Sequence, residues 1–381
     1  MNPARIILLH TTPTDRPNGS MVRYGNMLRA ALTQGGGGLS VEELNLSPRQ
    51  AWLERLPAVF QTPVRYSGIA LRARRVLPDE KTGILHLLDG SHAYLLGAVR
   101  RLPGPLVITV HDMIPALCLR GELRGDRPGP GAAWIIRRTL TNLARADAWV
   151  ADSTNTRDDL IRLAGVDSRR VQVVHPAVTL HTQPPSSGKV SGAAAPYILH
   201  VAGNNNFYKN RTGVIAVLAA IRRSVPVRLK LVGAPPDTAL RRQIESAGMS
   251  AAVDFLPNVS EAELAELYRQ AAFLLFPSTY EGFGWPPLEA MACGCPVVGS
   301  AAGSLAEIIG AVGLTAAPDD VTGLAGHGLK ILKNPAERQL LVEAGFRHVR
   351  RFSLEALSAG LLRVYQMADE SFRQRTAYAQ D

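Results

Sequence analysis

Two glutamates separated by seven residues, Glu281 and Glu289, are the side chains of this sequence most suited to chemistry. Glu281 follows a short apolar run, and Glu289 follows two prolines in a stretch with helical character. Because a carboxylate accepts two hydrogen bonds from adjacent hydroxyls, this pair predicts a site that holds a sugar at one glutamate and a ribose at the other. The simpler alternative is that Glu281 is a loop residue and Glu289 caps or solvates a helix face.

The residues between the two glutamates favour an anionic ligand. Gly282 and Gly284 follow the predicted strand, where glycine lets backbone N–H groups approach a ligand closely. The two prolines then begin a helix, whose first N–H groups and positive dipole end attract an anion. The segment therefore suits a phosphate.

Short apolar runs alternate with longer amphipathic stretches along the chain, as in the βα units of parallel sheets. Strands are predicted at 5–10, 83–88, 106–110, 148–151, 171–174, 197–202, 228–232, 253–255, 273–276 and 296–299. Helices are predicted between them, at 20–32, 134–144, 212–223, 261–270 and 287–292. This pattern predicts an α/β protein with two doubly wound, Rossmann-like halves.

A linker at 181–196 separates the halves, because this stretch is dense in Pro, Ser, Gly and Ala and has no hydrophobic period. We assign 1–180 to an N-terminal domain and 197–353 to a C-terminal domain. The final residues, 354–381, carry helical spacing and are expected to cross back to the first domain. Ligands bind at the carboxyl ends of such strands, so a cleft between the domains is expected to hold the chemistry.

Composition excludes several classes of protein. The chain has 381 residues, 46% hydrophobic and 19% charged, which predicts more than one folded domain and excludes disorder. No apolar stretch reaches about 18 residues, so neither a signal peptide nor a transmembrane helix is expected. Three cysteines are too few for a disulfide framework, and we expect a cytoplasmic protein.

The net charge of +10 lies mainly in the first half, with +8 in 1–180 and +2 in the remainder. Arginine supplies 36 of the 42 basic residues, and 65–77 could form a basic helix with apolar positions. Such a helix can rest on the inner, anionic face of a membrane, although an arginine-rich solvated face explains it equally well. Nucleic acid is not expected as a partner, because aromatic residues make up only 6% of the chain.

The run from Glu281 to Val298 resembles the glutamate-x7-glutamate signature of retaining glycosyltransferases of the family-4 type, which have the GT-B fold. The resemblance extends to segments at 200–203 and 208–211, to 231–233 and 255–259, and in the first half to 18–20, 110–112 and 152–154. It implies a GT-B enzyme that takes a GDP- or UDP-sugar as substrate, needs no cofactor, and acts on a glycan or lipid-linked acceptor.

The same resemblance implies the residues that hold the donor. Glu289 would bind the ribose hydroxyls, and Glu281 with the backbone of the next three residues would bind the donor sugar. The donor-binding set is Gly19, Gly203, Asn204, Asn205, Lys209, Arg211, Gly233, Val259, Glu281, Gly282, Phe283, Gly284, Leu288 and Glu289.

The resemblance also implies three catalytic residues: His111, Lys209 and Glu281. Lys209 would neutralise the diphosphate leaving group, since cleavage of the sugar–phosphate bond builds negative charge there. His111 follows a predicted strand and would orient the donor sugar or its phosphate, whereas a lone histidine of this kind is otherwise a structural residue. Asp112 is expected to cap the following loop.

The sequence departs from the family at one phosphate contact. An arginine is common just after the glycine that ends the first C-terminal strand, but here Gly203 is followed by Asn204, Asn205 and Asn206. Arg211 or the asparagine amides would have to take the place of that arginine.

No metal site is expected. Cys293 and Cys295 have no nearby partners that would complete four ligands, so both are assigned to packing. No Asp-x-Asp occurs in the chain, so metal-independent transfer is expected.

We therefore predict a retaining hexosyltransferase, with mannose among the candidate sugars, that acts in polysaccharide, O-antigen or glycolipid assembly. A sugar-nucleotide epimerase or a phosphorylase on the same scaffold is the alternative. A dehydrogenase is disfavoured because no Gly-x-Gly-x-x-Gly follows the first strand.

Overall fold

The computed structural model describes residues 5–13, 19–34, 38–48, 50–77, 83–99, 102–125, 127–179, 196–203 and 207–377. It divides into two units, one formed by Met1–Ala177 with Phe352–Asp381 and the other by Val178–Arg351. Each unit contains one six-stranded parallel sheet flanked by helices. The predicted α/β class with two Rossmann-like parallel-sheet domains is confirmed.

The sheet of the first unit has the strand order β2-β1-β3-β4-β5-β6. Its strands are β1 (Arg5–His10), β2 (Ser40–Asn45), β3 (Ile84–Leu87), β4 (Leu106–Val110), β5 (Ala148–Ala151) and β6 (Val171–Val173). The helices are α1 (Ser20–Gln34), α2 (Gln50–Leu53), α3 (Ala58–Val76), α4 (Ile114–Arg120), α5 (Pro130–Leu143), α6 (Thr154–Ala164) and α14 (Leu354–Ala377).

The sheet of the second unit has the order β12-β11-β10-β7-β8-β9. Its strands are β7 (Tyr197–Ala202), β8 (Arg228–Gly233), β9 (Val253–Leu256), β10 (Phe273–Phe276), β11 (Val297–Ser300) and β12 (Leu314–Ala316). The helices are α7 (Arg211–Arg222), α8 (Thr238–Ser246), α9 (Glu261–Gln270), α10 (Trp285–Ala292), α11 (Leu305–Ile309), α12 (Val321–Lys333) and α13 (Pro335–Val349).

The ten predicted strands are all present, but the sequence patterns missed β2 and β12. Both lie at an edge of their sheet, where one side of the strand has no neighbour. β2 carries the exposed Glu42 and Glu43 and β12 has only three half-buried residues, so neither forms an apolar run. An edge position permits a polar or short strand, and β2 and β12 are the two edge strands that a hydrophobicity pattern misses for this reason.

The last helix, α14, packs on the sheet of the first unit. Leu357, Leu361 and Val364 on this helix are buried. Tyr365 shares a hydrogen bond of 2.9 Å with Nδ1 of His86 on β3, and both side chains are buried. The helix therefore adds both apolar and polar contacts to the first unit.

The predicted linker at 181–196 lies, apart from Pro196, outside the described residues.

Candidate active site

Lys209 and Glu281 lie at the topological switch point of the second sheet. β7 and β10 are neighbours there, and the chain leaves β7 toward β8 on one side and β10 toward β11 on the other. Loops that leave adjacent strands in opposite directions open a crevice at the carboxyl ends of those strands. Lys209 follows β7 and Glu281 follows β10, so the topology brings together two residues that are distant in sequence.

The two side chains form a largely buried ion pair. Nζ of Lys209 lies 2.8 Å from Oε1 and 3.0 Å from Oε2 of Glu281. The side chains are 13% and 8% exposed, respectively, so water screens this pair less than a surface pair. An ammonium has three donors and a carboxylate about four acceptor sites, so both groups keep capacity for a ligand while they remain paired.

Asn210 fixes the turn that carries Lys209. It adopts a left-handed conformation (φ 52°) and its Oδ1 accepts a hydrogen bond from the amide of Gly213, which caps α7. Its Nδ2 donates to the carbonyls of Pro277 at 3.0 Å and Pro318 at 2.8 Å. The turn after β7 is thereby tied to the loop after β10.

The glycine-containing loop after Glu281 is buried. Gly282 is buried, as is Phe283, which is 7% exposed, and Gly284 has φ 109° at the start of α10. The conformation of Gly284 favours glycine, and a Cβ there would lie 2.9 Å from a methyl group of Leu305, which would have to shift. Leu288 is fully buried and anchors α10 beneath this loop.

Glu289 is buried on α10 and paired with a tyrosine. It is 4% exposed, and its Oε2 accepts a hydrogen bond of 3.2 Å from the hydroxyl of Tyr268 on α9. Burial, together with the charge of Glu289, raises the pKa of Tyr268 well above its ordinary value, so this hydroxyl keeps its proton and donates. The alternative in which Glu289 solvates a helix face is therefore wrong.

Two other residues predicted to bind the sugar-nucleotide donor lie at the ends of the neighbouring strands β7 and β8. Gly233 closes β8 with φ 125°, and a Cβ there would overlap the carbonyl of Ala202 at the end of β7. Gly203, the next residue, has open space around the position of a Cβ. Val259 is half-buried in the loop after β9. These residues lie at the carboxyl edge of the same sheet as Lys209.

The predicted phosphate contacts are only partly described. Arg211 begins α7 and is half-buried, and this burial lowers its pKa, which Asp237 partly offsets. Asn204, Asn205 and Asn206 lie outside the described residues.

His111 lies in the first unit, directly after β4. Its Nδ1 is 2.6 Å from Oδ2 of Asp152 and its Nε2 is 2.8 Å from the carbonyl of Leu88. Burial opposes the charged form, but the charge and hydrogen bond of Asp152, with Asp89 and the Leu88 carbonyl, raise the pKa of His111 to about 9. Since both ring nitrogens face acceptors, His111 is an imidazolium at neutral pH.

Two further predictions fall in the first unit, the capping role of Asp112 and donor binding by Gly19. Oδ1 of Asp112 accepts a hydrogen bond of 2.9 Å from the amide of Ile114, so the predicted capping role is confirmed. Gly19 precedes α1 and its carbonyl accepts from the amide of Arg23 at 3.0 Å. Asn18 lies outside the described residues.

The burial of Cys293 and Cys295 agrees with their assignment to packing. Cys293 and Cys295 are 1% exposed and pack in the core beside β10 and β11. Within the described ranges, the structure contains no group of three or more His, Cys, Asp or Glu side chains arranged to hold a metal ion.

A basic surface with exposed apolar side chains lies on the segment 50–77, which contains α2 and α3. This segment has five arginines and one glutamate. Trp52, Phe60 and Leu71 are 50%, 55% and 66% exposed, respectively. A cavity of about 530 Å³ beside them is lined mainly by apolar side chains, and Arg72 supplies its charged group. Of the helices described, none has the length and apolar character to span a membrane.

Sequence reasoning missed two residues that support the site, Tyr268 and Ser304. Tyr268 carries no local signal, because its partner Glu289 is 21 residues away and on another helix. Ser304 follows β11, the neighbour of β10, so the rule that ligands bind at the carboxyl ends of strands could have pointed to it.

Comparison with known proteins accounts for nearly the whole chain. Residues 31–182 match the family model described as Glycosyltransferase Family 4, and residues 189–348 match Glycosyl transferases group 1. A D-inositol 3-phosphate glycosyltransferase from Salinispora arenicola is 32% identical over 313 residues, which cover 72% of this chain and 67% of the relative.

Solved structures share the fold. Sucrose-phosphate synthase from Thermosynechococcus elongatus superimposes with a TM-score of 0.76 at 20% identity, covering 99% of this chain and all of that chain. Anabaena HepE in complex with UDP and glucose gives 0.69 at 18% identity, covering 95% of this chain and 99% of that chain. At these identities the likeness shows the fold alone.

The architecture is therefore GT-B, and the chain is a glycosyltransferase. Within that class it belongs to the glycosyl transferases group 1 family, with a first half of the glycosyltransferase family 4 type. The family that the run from Glu281 to Val298 resembles is confirmed.

Proposed function

We propose that this glycosyltransferase transfers a hexosyl group, with retention at the anomeric carbon, from a UDP- or GDP-sugar to a hydroxyl of a glycan or lipid-linked acceptor. The observation that carries the proposal is the Lys209–Glu281 pair at the switch point of the second sheet. It places a cation suited to a phosphate beside a carboxylate suited to sugar hydroxyls. These two groups are complementary to the phosphates and the hydroxyls of a sugar diphosphate.

Each end of the donor has a candidate partner. Glu289, oriented by Tyr268, binds the ribose hydroxyls, and Glu281 with the backbone of the following three residues binds the sugar. Lys209 stabilises the charge that develops on the leaving diphosphate, and Arg211 supplies a second cation. We also propose that His111, as an imidazolium, binds the sugar or its phosphate.

Front-face attack is the proposed mechanism. The acceptor oxygen bonds to the anomeric carbon on the face from which the phosphate departs, and a leaving-phosphate oxygen takes the acceptor proton. Lys209 lowers the barrier by stabilising the diphosphate, so transfer is expected to need no metal and to persist in EDTA. The supporting observation is that the sequence contains no Asp-x-Asp.

Donor identity is the first test. A thermal-shift panel of UDP-, GDP-, TDP- and ADP-sugars should raise the melting temperature for the donor that binds the folded chain. UDP-glucose is the first candidate, because the related HepE structure contains UDP and glucose, and GDP-mannose is the second.

The catalytic assignment is tested with Glu289→Ala and Lys209→Ala. Both variants should lose transfer while the fold is retained, and NMR of the wild-type product should show the anomeric configuration of the donor. Near-normal turnover in both variants, or an inverted product, would contradict the proposal.

We also propose that the acceptor is lipid-linked and that the segment 50–77 rests on the anionic inner face of the cytoplasmic membrane. The support is the net charge of this segment together with the exposed Trp52, Phe60 and Leu71. Arginines that attract anionic headgroups beside apolar side chains that enter the interface are the features of a surface-bound helix. This location suits polysaccharide, O-antigen or glycolipid assembly.

A further inference from the structure

The loop after β11 is joined to the loop that follows Glu281 by two hydrogen bonds from a single residue, Ser304. The amide of Ser304 donates to the carbonyl of Glu281 at 3.1 Å. The hydroxyl of Ser304 donates to the carbonyl of Phe283 at 2.6 Å. Ser304 has no exposed surface, so water does not compete for either bond.

These bonds fix the direction of two peptide units. In a trans peptide, the carbonyl of one residue and the N–H of the next point in opposite directions. No peptide bond of the described chain is cis. Because the carbonyls of Glu281 and Phe283 are held toward Ser304, the N–H groups of Gly282 and Gly284 are directed to the opposite side of the loop.

Gly303 makes this contact sterically possible. Its φ is +60°, and a Cβ at this position would lie 2.7 Å from the carbonyl oxygen and 2.9 Å from the nitrogen of Glu281. Both distances are too short for a real Cβ, and the obstructing atoms are backbone. Only glycine therefore lets the loop after β11 approach Glu281 closely enough for Ser304 to bond.

We propose that Ser304 is a positioning residue that turns the N–H groups of Gly282 and Gly284 toward the donor sugar, and so determines recognition of the sugar rather than of the nucleotide. This inference rests on the proposed function, in which the backbone of residues 282–284 binds the sugar. Backbone N–H groups that are preorganised toward a ligand stabilise the bound state more than N–H groups that must reorient on binding.

The test compares Ser304→Ala with Ser278→Ala. Ser278 is as buried as Ser304 and lies on the loop that carries Glu281, but its hydroxyl has no hydrogen-bond partner in the part of the chain that the structure describes. Calorimetry should measure the affinity of each variant for the nucleotide sugar and for the free nucleoside diphosphate. Melting temperatures identify any variant that does not fold.

Ser304→Ala removes the hydroxyl bond to the carbonyl of Phe283 and keeps the amide bond to the carbonyl of Glu281. It should bind the nucleoside diphosphate like the wild type, but should bind the nucleotide sugar more weakly than the wild type. Its kcat/KM should fall about ten- to a hundredfold, since a misplacement of about 1 Å can cost about a hundredfold. Ser278→Ala should match the wild type in each measurement. An unchanged affinity for the sugar, or an equal loss of affinity for both ligands, would overturn the proposal.

Gly303→Ala provides a second test if Ser304→Ala does not fold. It keeps the serine but pushes the loop away from Glu281, so the same selective loss of sugar binding is expected, and an equal loss for both ligands overturns the proposal. If the wild type binds no nucleotide sugar at all, the proposed function fails. If the wild type binds the nucleotide sugar and Ser304→Ala binds it equally well, only the role proposed for Ser304 fails.

Discussion

The hydroxyl of Tyr268 on α9 donates a buried hydrogen bond of 3.2 Å to Oε2 of Glu289 on α10. Both residues are less than 5% exposed. A buried carboxylate needs donors to remain charged, and a tyrosine whose pKa is raised well above its ordinary value by burial and by Glu289 supplies a permanent one. The pair therefore presents an oriented carboxylate at the position proposed for the ribose.

Tyr268→Phe removes one donor and keeps the ring. Because a hydrogen bond to a charged group contributes about 1.5 to 3 kcal/mol, we expect affinity for the nucleoside diphosphate to fall about tenfold or more. Isothermal titration calorimetry measures this affinity. Tyr197→Phe is the matched control, since that hydroxyl donates to the Leu267 carbonyl at 2.7 Å and touches no carboxylate of the site. Equal affinities in both variants would contradict the role of Tyr268.

Glu281→Gln should separate binding from turnover. The amide keeps the shape of the carboxylate but removes the charge that Lys209 now shares, so the ammonium becomes more available to phosphate. We expect affinity for the nucleoside diphosphate to stay equal or to increase, while kcat falls about a hundredfold, as is typical when one stabilising group is lost. Steady-state kinetics and calorimetry together measure this split.

Glu337→Gln is the control for Glu281→Gln, because Glu337 forms a surface pair of 2.6 Å with Lys330 in the same unit. It should leave both kcat and nucleotide affinity unchanged. A fall in diphosphate affinity in Glu281→Gln would show that the carboxylate supports the phosphate site instead of the sugar site.

The pair of His111 and Asp152 predicts a pH dependence of stability. Because the pKa of His111 is raised from 6.5 to about 9, its contribution is fully present below pH 6.5 and is lost as the pH rises through 9. A shift of this size corresponds to about 3 kcal/mol of unfolding free energy. Denaturant unfolding of the wild type at pH 6, 8 and 10 should reveal the loss.

Asp152→Asn removes the charge and the carboxylate acceptor of this pair. It should destabilise the protein at pH 6 and flatten the pH dependence between 6.5 and 9. If transfer needs the imidazolium, the alkaline limb of the pH–rate profile should also move to lower pH. If the stabilities of the wild type and of Asp152→Asn change with pH in the same way, the raised pKa of His111 is not due to Asp152.

Tyr365→Phe tests the polar contact between α14 and β3. Burial, with a contribution from His111, lowers the pKa of His86 to about 3, so the neutral ring needs its partner Tyr365 at all working pH values. Loss of that partner leaves Nδ1 of His86 buried and unbonded, at a cost of about 1 to 3 kcal/mol. Thermal unfolding should show this loss, with transfer kinetics unchanged while the chain is folded.

Tyr94→Phe is a milder change of the same kind, because the Tyr94 hydroxyl donates to the Tyr66 carbonyl at 3.1 Å in a half-buried position. A loss of stability in Tyr365→Phe no larger than in Tyr94→Phe would show that α14 is held by its apolar contacts alone.

Membrane association is tested by sedimentation with vesicles. The wild type should bind vesicles that contain phosphatidylglycerol at low salt, bind them less in about 0.5 M salt, and not bind pure phosphatidylcholine, because salt screens surface charge. Arg72→Glu and Trp52→Ala should each weaken binding. Arg363→Glu makes the same charge change at an exposed position of α14 and should not weaken binding. Equal binding to both vesicle types would contradict the proposed surface.

Sequence patterns predicted the core strands because burial favours apolar runs, and β10 follows that rule along its whole length. β4 follows it except at Thr109, a buried polar residue whose hydroxyl bonds to His86. The edge strands β2 and β12 were missed because the solvent permits polar residues there. The resemblance of the run from Glu281 to Val298 to the family signature was visible in the sequence because the loop and α10 are contiguous there.

The sequence by itself determined the fold class, the two halves and the residues suited to a sugar nucleotide, since each of these depends on local pattern or on a contiguous motif. Only the tertiary structure paired Lys209 with Glu281, Glu289 with Tyr268, His111 with Asp152 and Ser304 with the loop after Glu281. Each of these contacts joins residues between 21 and 72 positions apart. The order of strands in the sheet decides which loops meet, and a one-dimensional pattern does not contain that order.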